Sequence, residues 1–139
     1  MTTPVPAALR RNVLARAGRR CEYCRLPESD SEGALHVDHV ISEQHGGATI
    51  SENLAACCPR CNWAKGPNVA AIDERGEAVL LFNPRTHEWS EHFQPDGLFL
   101  RGLTSIGRAT VRILDMNSTP RLHERELAAL TGAETEADA

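Results

Sequence analysis

The sequence predicts a small α+β domain, and three observations predict it. Apolar residues recur at helical spacing near both ends, at Leu9, Val13, Leu14 and Ala17 and again at Leu122, Leu127 and Leu130. Short stretches of strand character, residues 35–41 and 77–82, lie between these helices. Two Cys-x-x-Cys pairs, Cys21/Cys24 and Cys58/Cys61, bracket the first of those strands. The chain's 139 residues suit one domain, but only 4% of them are aromatic. A chain this short gains much from a covalent or metal staple.

Each element has a local reason. Pro4 and Pro6 precede a helix over residues 7–17, and Gly18 supplies its stop. Residues 26–34 form a polar loop, residues 35–41 a strand, and residues 42–51 a loop around Gly46-Gly47. Pro59 opens a short helix, because its missing N–H is not needed in the first turn, and Gly66-Pro67 ends it. The strand over 77–82 stops at Asn83-Pro84. Residues 89–93 are expected to pair with 98–101 across Pro95-Asp96-Gly97, a turn signal. Thr104 is placed to cap a helix through Ile106, Val111, Ile113 and Leu114. Thr119-Pro120 start a last helix that Gly132 ends. The expected organisation is a single domain over residues 1–131, with a core at 21–66, an extension at 72–131 and an acidic tail without fixed structure at 132–139.

The net charge of -4 does not favour nucleic-acid binding by itself. Its distribution is more informative. Arg10, Arg11, Arg16, Arg19, Arg20 and Arg25 crowd the first 25 residues against Glu22 alone, which allows a local basic surface. Arg19 and Arg20 are the nucleic-acid candidates there; a solvated helix face is the equal alternative. The N-terminus lacks a cationic stretch followed by an apolar one. No run approaches the ~18 apolar residues of a membrane span. A reducing, cytoplasmic setting and no membrane partner are therefore expected.

Thiolates at Cys-x-x-Cys spacing converge on one centre, and two such pairs make a closed tetrahedral site suited to structural Zn2+. Cys21, Cys24, Cys58 and Cys61 are its expected ligands. An odd count of five cysteines argues against a disulfide framework. Cys57 does not fit the spacing and reads as a small buried hydrophobe.

Between the pairs stand His36-Val-Asp38-His39-Val-Ile41, then Gly46-Gly47, then Asn53-Leu54, and after them Cys58-Pro-Arg-Cys61-Asn62 and Lys65. In order and spacing this stretch resembles the HNH endonuclease family, whose fold is the ββα-metal motif. Asn62 stands where the family name expects a second His; Asn is a common alternative in similar proteins. The resemblance implies an HNH endonuclease hydrolysing DNA phosphodiester bonds, with RNA as the other substrate class and 5′-phosphate and 3′-hydroxyl ends on the products. The residues support that chemistry. Mg2+ takes hard oxygen ligands and is held by few protein groups, and the Asp38 carboxylate and Asn62 amide oxygen make such a pair. His39 is the expected general base, since imidazole accepts a proton near neutral pH. Asn53 resembles the family's middle Asn, which steadies the loop behind that His. Lys65, His36 and His45 are candidate phosphate or nucleic-acid contacts, each weighed against a solvated or supporting role. On a regular strand Asp38 and His39 would face opposite sides, so the strand must end or bend there.

No second DNA-reading module stands in the chain, which argues for weak sequence preference or for specificity supplied by a protein partner; a homodimer would ease a double-strand break. Phe82, Trp89 and Phe93 are expected to cover the motif with apolar surface. The alternative function is a non-catalytic zinc-binding module that only holds nucleic acid.

Overall fold

The computed structural model describes residues 3–131. The acidic tail expected at 132–139 lies outside the described residues.

Helix α1 (Ala7–Arg16) buries Val13 and Leu14, and Gly18 follows it with φ +66°. Two of its arginines turn inward. Arg10 Nη2 donates to the Leu35 carbonyl at 2.8 Å, and Arg16 donates to the Leu54 carbonyl at 2.8 Å and to Ser51 Oγ at 2.8 Å. Part of the N-terminal arginine cluster thus fastens α1 to the hairpin of the motif.

That hairpin pairs β1 (His36–His39) with β2 (Leu54–Cys57), antiparallel, with His36 opposite Cys57 and His39 opposite Leu54. The strand expected over 35–41 is shorter because a side chain takes over the ladder. Asn53 Oδ1 accepts from Ile41 N at 2.9 Å, and Asn53 Nδ2 donates to Ile41 O at 2.9 Å. Strand β2 gave no alternating signal, since all four of its residues are buried.

Helix α2 (Pro59–Lys65) runs as expected. Cys58 caps it through its sulfur, Pro59 opens it and Gly66 ends it at φ +52°. Cys61 and Lys65, four residues apart, share its inward face.

The extension adds two more hairpins. Strands β3 (Ala70–Ile72) and β4 (Ala78–Leu80) close over a turn held by Asp73, whose Oδ1 accepts from Arg75 N and Glu77 N, each at 2.9 Å. One helical turn, α3 (Trp89–His92), stands where a strand was expected. It sets the Trp89 ring 5.1 Å from Phe93 and lets Trp89 Nε1 donate to Tyr23 O at 2.8 Å. Strand β5 (Phe93–Asp96) then pairs with β6 (Phe99–Gly102), so Pro95 and Asp96 lie in the strand and Gly97-Leu98 make the turn. Pro95 is tolerated because each strand of a two-stranded ribbon has an outer edge. Phe82 and Phe93 are buried and pack edge-to-face at 5.2 Å, and Tyr23 meets Phe82 edge-to-face at 6.4 Å. The expected aromatic cover over the motif is therefore present.

Helix α4 (Ser105–Ile113) starts at Thr104, whose Oγ1 accepts from Gly107 N at 3.0 Å, as expected. Helix α5 (Thr119–Thr131) departs from its sequence pattern. Its buried residues are Arg121 and Glu124, while Leu127 and Leu130 are exposed. Arg121 turns inward onto the cysteine cluster, where it donates to Cys61 Sγ.

Candidate active site and metal centre

Cys21 and Cys24 sit on the turn after α1, and Cys58 and Cys61 on the start of α2. All four are buried and free of disulfides, and their sulfurs lie within 4.8 Å of one another. Cys24 Sγ and Cys58 Sγ are 3.7 Å apart. A tetrahedron with metal–sulfur bonds of about 2.3 Å has an edge of about 3.8 Å. The cluster is thus positioned to bind a metal ion, and its donor set fits zinc.

Charge reinforces that fit. The four thiols cannot all ionise by themselves. Burial pushes Cys21 and Cys61 well up, whereas hydrogen bonds from Cys21, Cys58 and Cys61 hold Cys24 well down. A bound divalent cation would favour four thiolates. Arg121 Nη2 already donates to Cys61 Sγ at 2.8 Å, and its Nη1 donates to Leu114 O at 2.7 Å. Burial would lower the Arg121 guanidinium, but the cysteines, Cys61 foremost, more than offset this and raise it. Cys57 is buried beside the cluster and is not one of the four.

Asp38, His39 and Asn62 line one cavity of about 440 Å³, together with His36, Ser42, Glu43, Gly66 and Pro67. The alternation problem is resolved because β1 ends at His39. Asp38 is 8% exposed and is gripped from the interior side. Tyr23 OH donates to its Oδ2 at 2.8 Å, and Lys65 Nζ lies 3.1 Å from Oδ2 and 3.4 Å from Oδ1. Burial raises the Asp38 carboxyl above its ordinary range, and Lys65 and Tyr23 oppose that rise. His39 Nε2 is 2.9 Å from Thr49 Oγ1. Asn53 clasps the intervening loop, adding a donor to Ala48 O at 2.9 Å to its two bonds with Ile41. Gly47 permits that clasp, since a Cβ there would sit 1.7 Å from Ile41 O and 2.7 Å from Asn53 Nδ2.

The remaining candidates fall elsewhere. Lys65, expected to reach a phosphate, is corrected to an interior role. It is 1% exposed, and beyond Asp38 its ammonium donates to His39 O at 3.2 Å. His36 and His45 are exposed, and only His36 lines the cavity. Arg19 pairs with Glu28 at 3.4 Å, and Arg20 Nη1 donates to Arg25 O at 3.2 Å. Tyr23, Thr49 and Arg121 were missed. Nothing local in the sequence marks them, because each meets its partner only across the fold. Lys65 carried one usable signal: it falls four residues after Cys61, on the same inward face of α2.

The family model described as HNH endonuclease matches residues 21–68. Residues 21–68 are an HNH endonuclease domain. The chain is 26% identical over 112 residues to the Septu protein PtuB of Bacillus thuringiensis, covering 79% of this chain and 41% of that protein. It is 34% identical over 76 residues to the CRISPR-associated endonuclease Cas9 of Corynebacterium diphtheriae, covering 50% of this chain and 7% of that protein. The chain thus spans less than half the length of either relative. No solved structure matches. Within the HNH domain, both cysteine pairs and the Asp38, His39 and Asn62 cavity fall inside the matched segment. Arg121 falls outside it, on α5. No described helix is long and apolar enough to cross a membrane.

Proposed function

We propose that this chain is a metal-dependent endonuclease that hydrolyses DNA phosphodiesters in the cavity between β1 and α2. The observation that carries the reading is the convergence of Asp38, His39 and Asn62 on that one cavity. Asp38 and Asn62 would hold a hard divalent cation such as Mg2+, which when bound neutralises charge on the scissile phosphate and the departing oxygen. In the tautomer with Nε2–H directed at Thr49 Oγ1, the His39 Nδ1 lone pair would be left to take a proton from water. The water oxygen bonds to phosphorus and the P–O3′ bond breaks. The proton goes to Nδ1, and the 3′ oxygen is protonated from solvent. Asn53 positions the loop that carries Thr49, and Lys65 and Tyr23 fix the Asp38 carboxylate at the cavity wall. Zinc on the four cysteines fixes the start of α2, and hence Asn62. A protein partner or a second copy supplies sequence preference, and the work is done in the cytoplasm.

A second reading has one observation in its favour. The Lys65 ammonium lies 3.1 Å from Asp38 and offsets the charge that would draw a divalent cation. In that case the domain holds nucleic acid without cutting it. Nicking of supercoiled plasmid by zinc-loaded protein, with and without added Mg2+, separates the two. Metal-dependent nicking that His39→Ala abolishes supports the endonuclease. Equal nicking by His39→Ala removes the assigned base, and binding without nicking supports the second reading.

A further inference from the structure

The chain has two tryptophans, and they sit in opposite surroundings. Trp89 is half-buried; its ring packs on Phe93, Arg25 lies over it at 5.2 Å, and its N–H is satisfied. Trp63 is 89% exposed, and among the described residues its indole meets no hydrogen-bond partner, ring or cation. A bare indole on a rigid helix has no structural use where it stands.

Its position is specific. Trp63 follows Asn62 directly on α2. Residues three apart on a helix are surface neighbours, so Trp63 stands beside Gly66, which lines the cavity. Gly66 has no side chain to screen the ring from the cavity mouth, and a Cβ built there meets nothing within 4 Å. A strand whose phosphate enters the cavity must bring its flanking bases to this rim. Every base offers a π-face, and an indole stacks on it without reading its identity.

We infer that Trp63 is a stacking platform for an unstacked base next to the scissile phosphate, and that it biases the chain toward DNA with an unpaired nucleotide at the cut. This rests on the endonuclease reading, because the cavity is what brings bases to the ring. A protein surface is the competing occupant; the base is favoured because Trp63 stands on α2 between Asn62 and Gly66, both of which line the cavity.

The test uses zinc-loaded full-length protein carrying His39→Ala, so that binding is read without cleavage. Emission is followed while a 20-nucleotide single-stranded DNA, or the same sequence as a duplex, is added in the presence of Mg2+. Quenching of the red-shifted Trp63 emission by the single strand is expected, with weaker binding of the duplex. Trp63→Ala should weaken single-strand binding by roughly 5- to 150-fold, the range of one base–aromatic stack. Trp63→Phe should recover most of that loss, and zinc content and melting should not move. Binding of both DNAs by Trp63→Ala within twofold of the parent, while wild type nicks plasmid, overturns the platform and leaves the endonuclease standing. Loss of a co-purifying protein with unchanged DNA binding also overturns it, in favour of a protein surface. Absence of both plasmid nicking and oligonucleotide binding in wild type removes the endonuclease reading and this inference together.

Discussion

Replacing Lys65 with Met keeps a long side chain at a position that is 1% exposed but removes its ammonium. Asp38 loses its partner at 3.1 Å and keeps only the Tyr23 hydroxyl, and His39 O loses a donor at 3.2 Å. Removing one partner of a buried ion pair costs about 3–5 kcal/mol. A second route limits that figure, because Asp38 can take up a proton. For a carboxyl of ordinary pKa near 3.9, protonation at pH 7 costs about 4 kcal/mol, so the expected loss is about 3–4 kcal/mol. At pH 5 the same protonation costs only about 1.5 kcal/mol. The sign follows from the direction of the shift. Burial already raises the Asp38 carboxyl, and removing Lys65 removes the cation that most opposes the rise. A carboxyl raised in the folded state contributes stability that is complete below its unfolded pKa and is lost as pH rises through its folded pKa. Lys65→Met should therefore lag wild type most at pH 7.5 and close on it toward pH 5. Urea unfolding of both zinc-loaded proteins at three pH values measures this. Adding Asp38→Asn should restore at least half of the loss at pH 7.5. A gap below about 1 kcal/mol, or one that does not change with pH, would refute the buried-pair reasoning.

Arg121→Met should leave Leu114 O unpaired and the thiolate cluster without its cation, and zinc release to a chelating dye should quicken by about 10- to 100-fold. Stripping the zinc altogether should unfold the chain, seen as loss of helical circular dichroism. Gly47→Ala should break the Asn53 clasp and cost about 1–3 kcal/mol by thermal melting, because a Cβ would meet Ile41 O at 1.7 Å. Gly46→Ala meets no atom and pays only for its left-handed backbone at φ +90°, about 1–2 kcal/mol. Backbone N–H groups of Glu77 and Arg75 hold the Asp73 carboxylate below its ordinary range. A depressed carboxylate stabilises above its unfolded pKa and loses that contribution as pH falls through its folded pKa. The advantage of wild type over Asp73→Asn should thus be present at pH 7 and vanish on acidification, in paired melting curves.

What the sequence disclosed was whatever chemistry it writes locally. The cysteine pairs, the Asp38-His39 step, the Pro59 and Gly66 limits of α2 and the Thr104 cap all depend on residues a few positions apart. The supports of the site depend on the whole fold. Lys65 is a surface cation by composition, and only the packing of α2 on β1 turns it into the partner of Asp38. Helix α5 shows the sharpest reversal. Its leucine spacing promises an apolar inner face, yet Arg121 and Glu124 occupy it while Leu130 is 75% exposed. The buried cysteines offset the desolvation of the Arg121 guanidinium, so the leucine spacing does not decide which face of α5 turns inward. Strand β2 escaped notice for the opposite reason: buried on both faces, it has no alternation to read.

The described strands form three separate ribbons of two, and none exceeds four residues. No described strand has a strand on both sides, and other groups cap part of the free edges: Glu22 meets Ala56 N and Ala56 O, and the Asn117 side chain meets Leu100 N and Leu100 O. Free edges ordinarily recruit strands from other molecules. Those caps and the strands' brevity are the safeguard: three or four residues offer too short a template to hold a foreign chain. Lengthening β3 or β4 by grafting, an obvious way to stiffen the extension, would trade that protection for self-association.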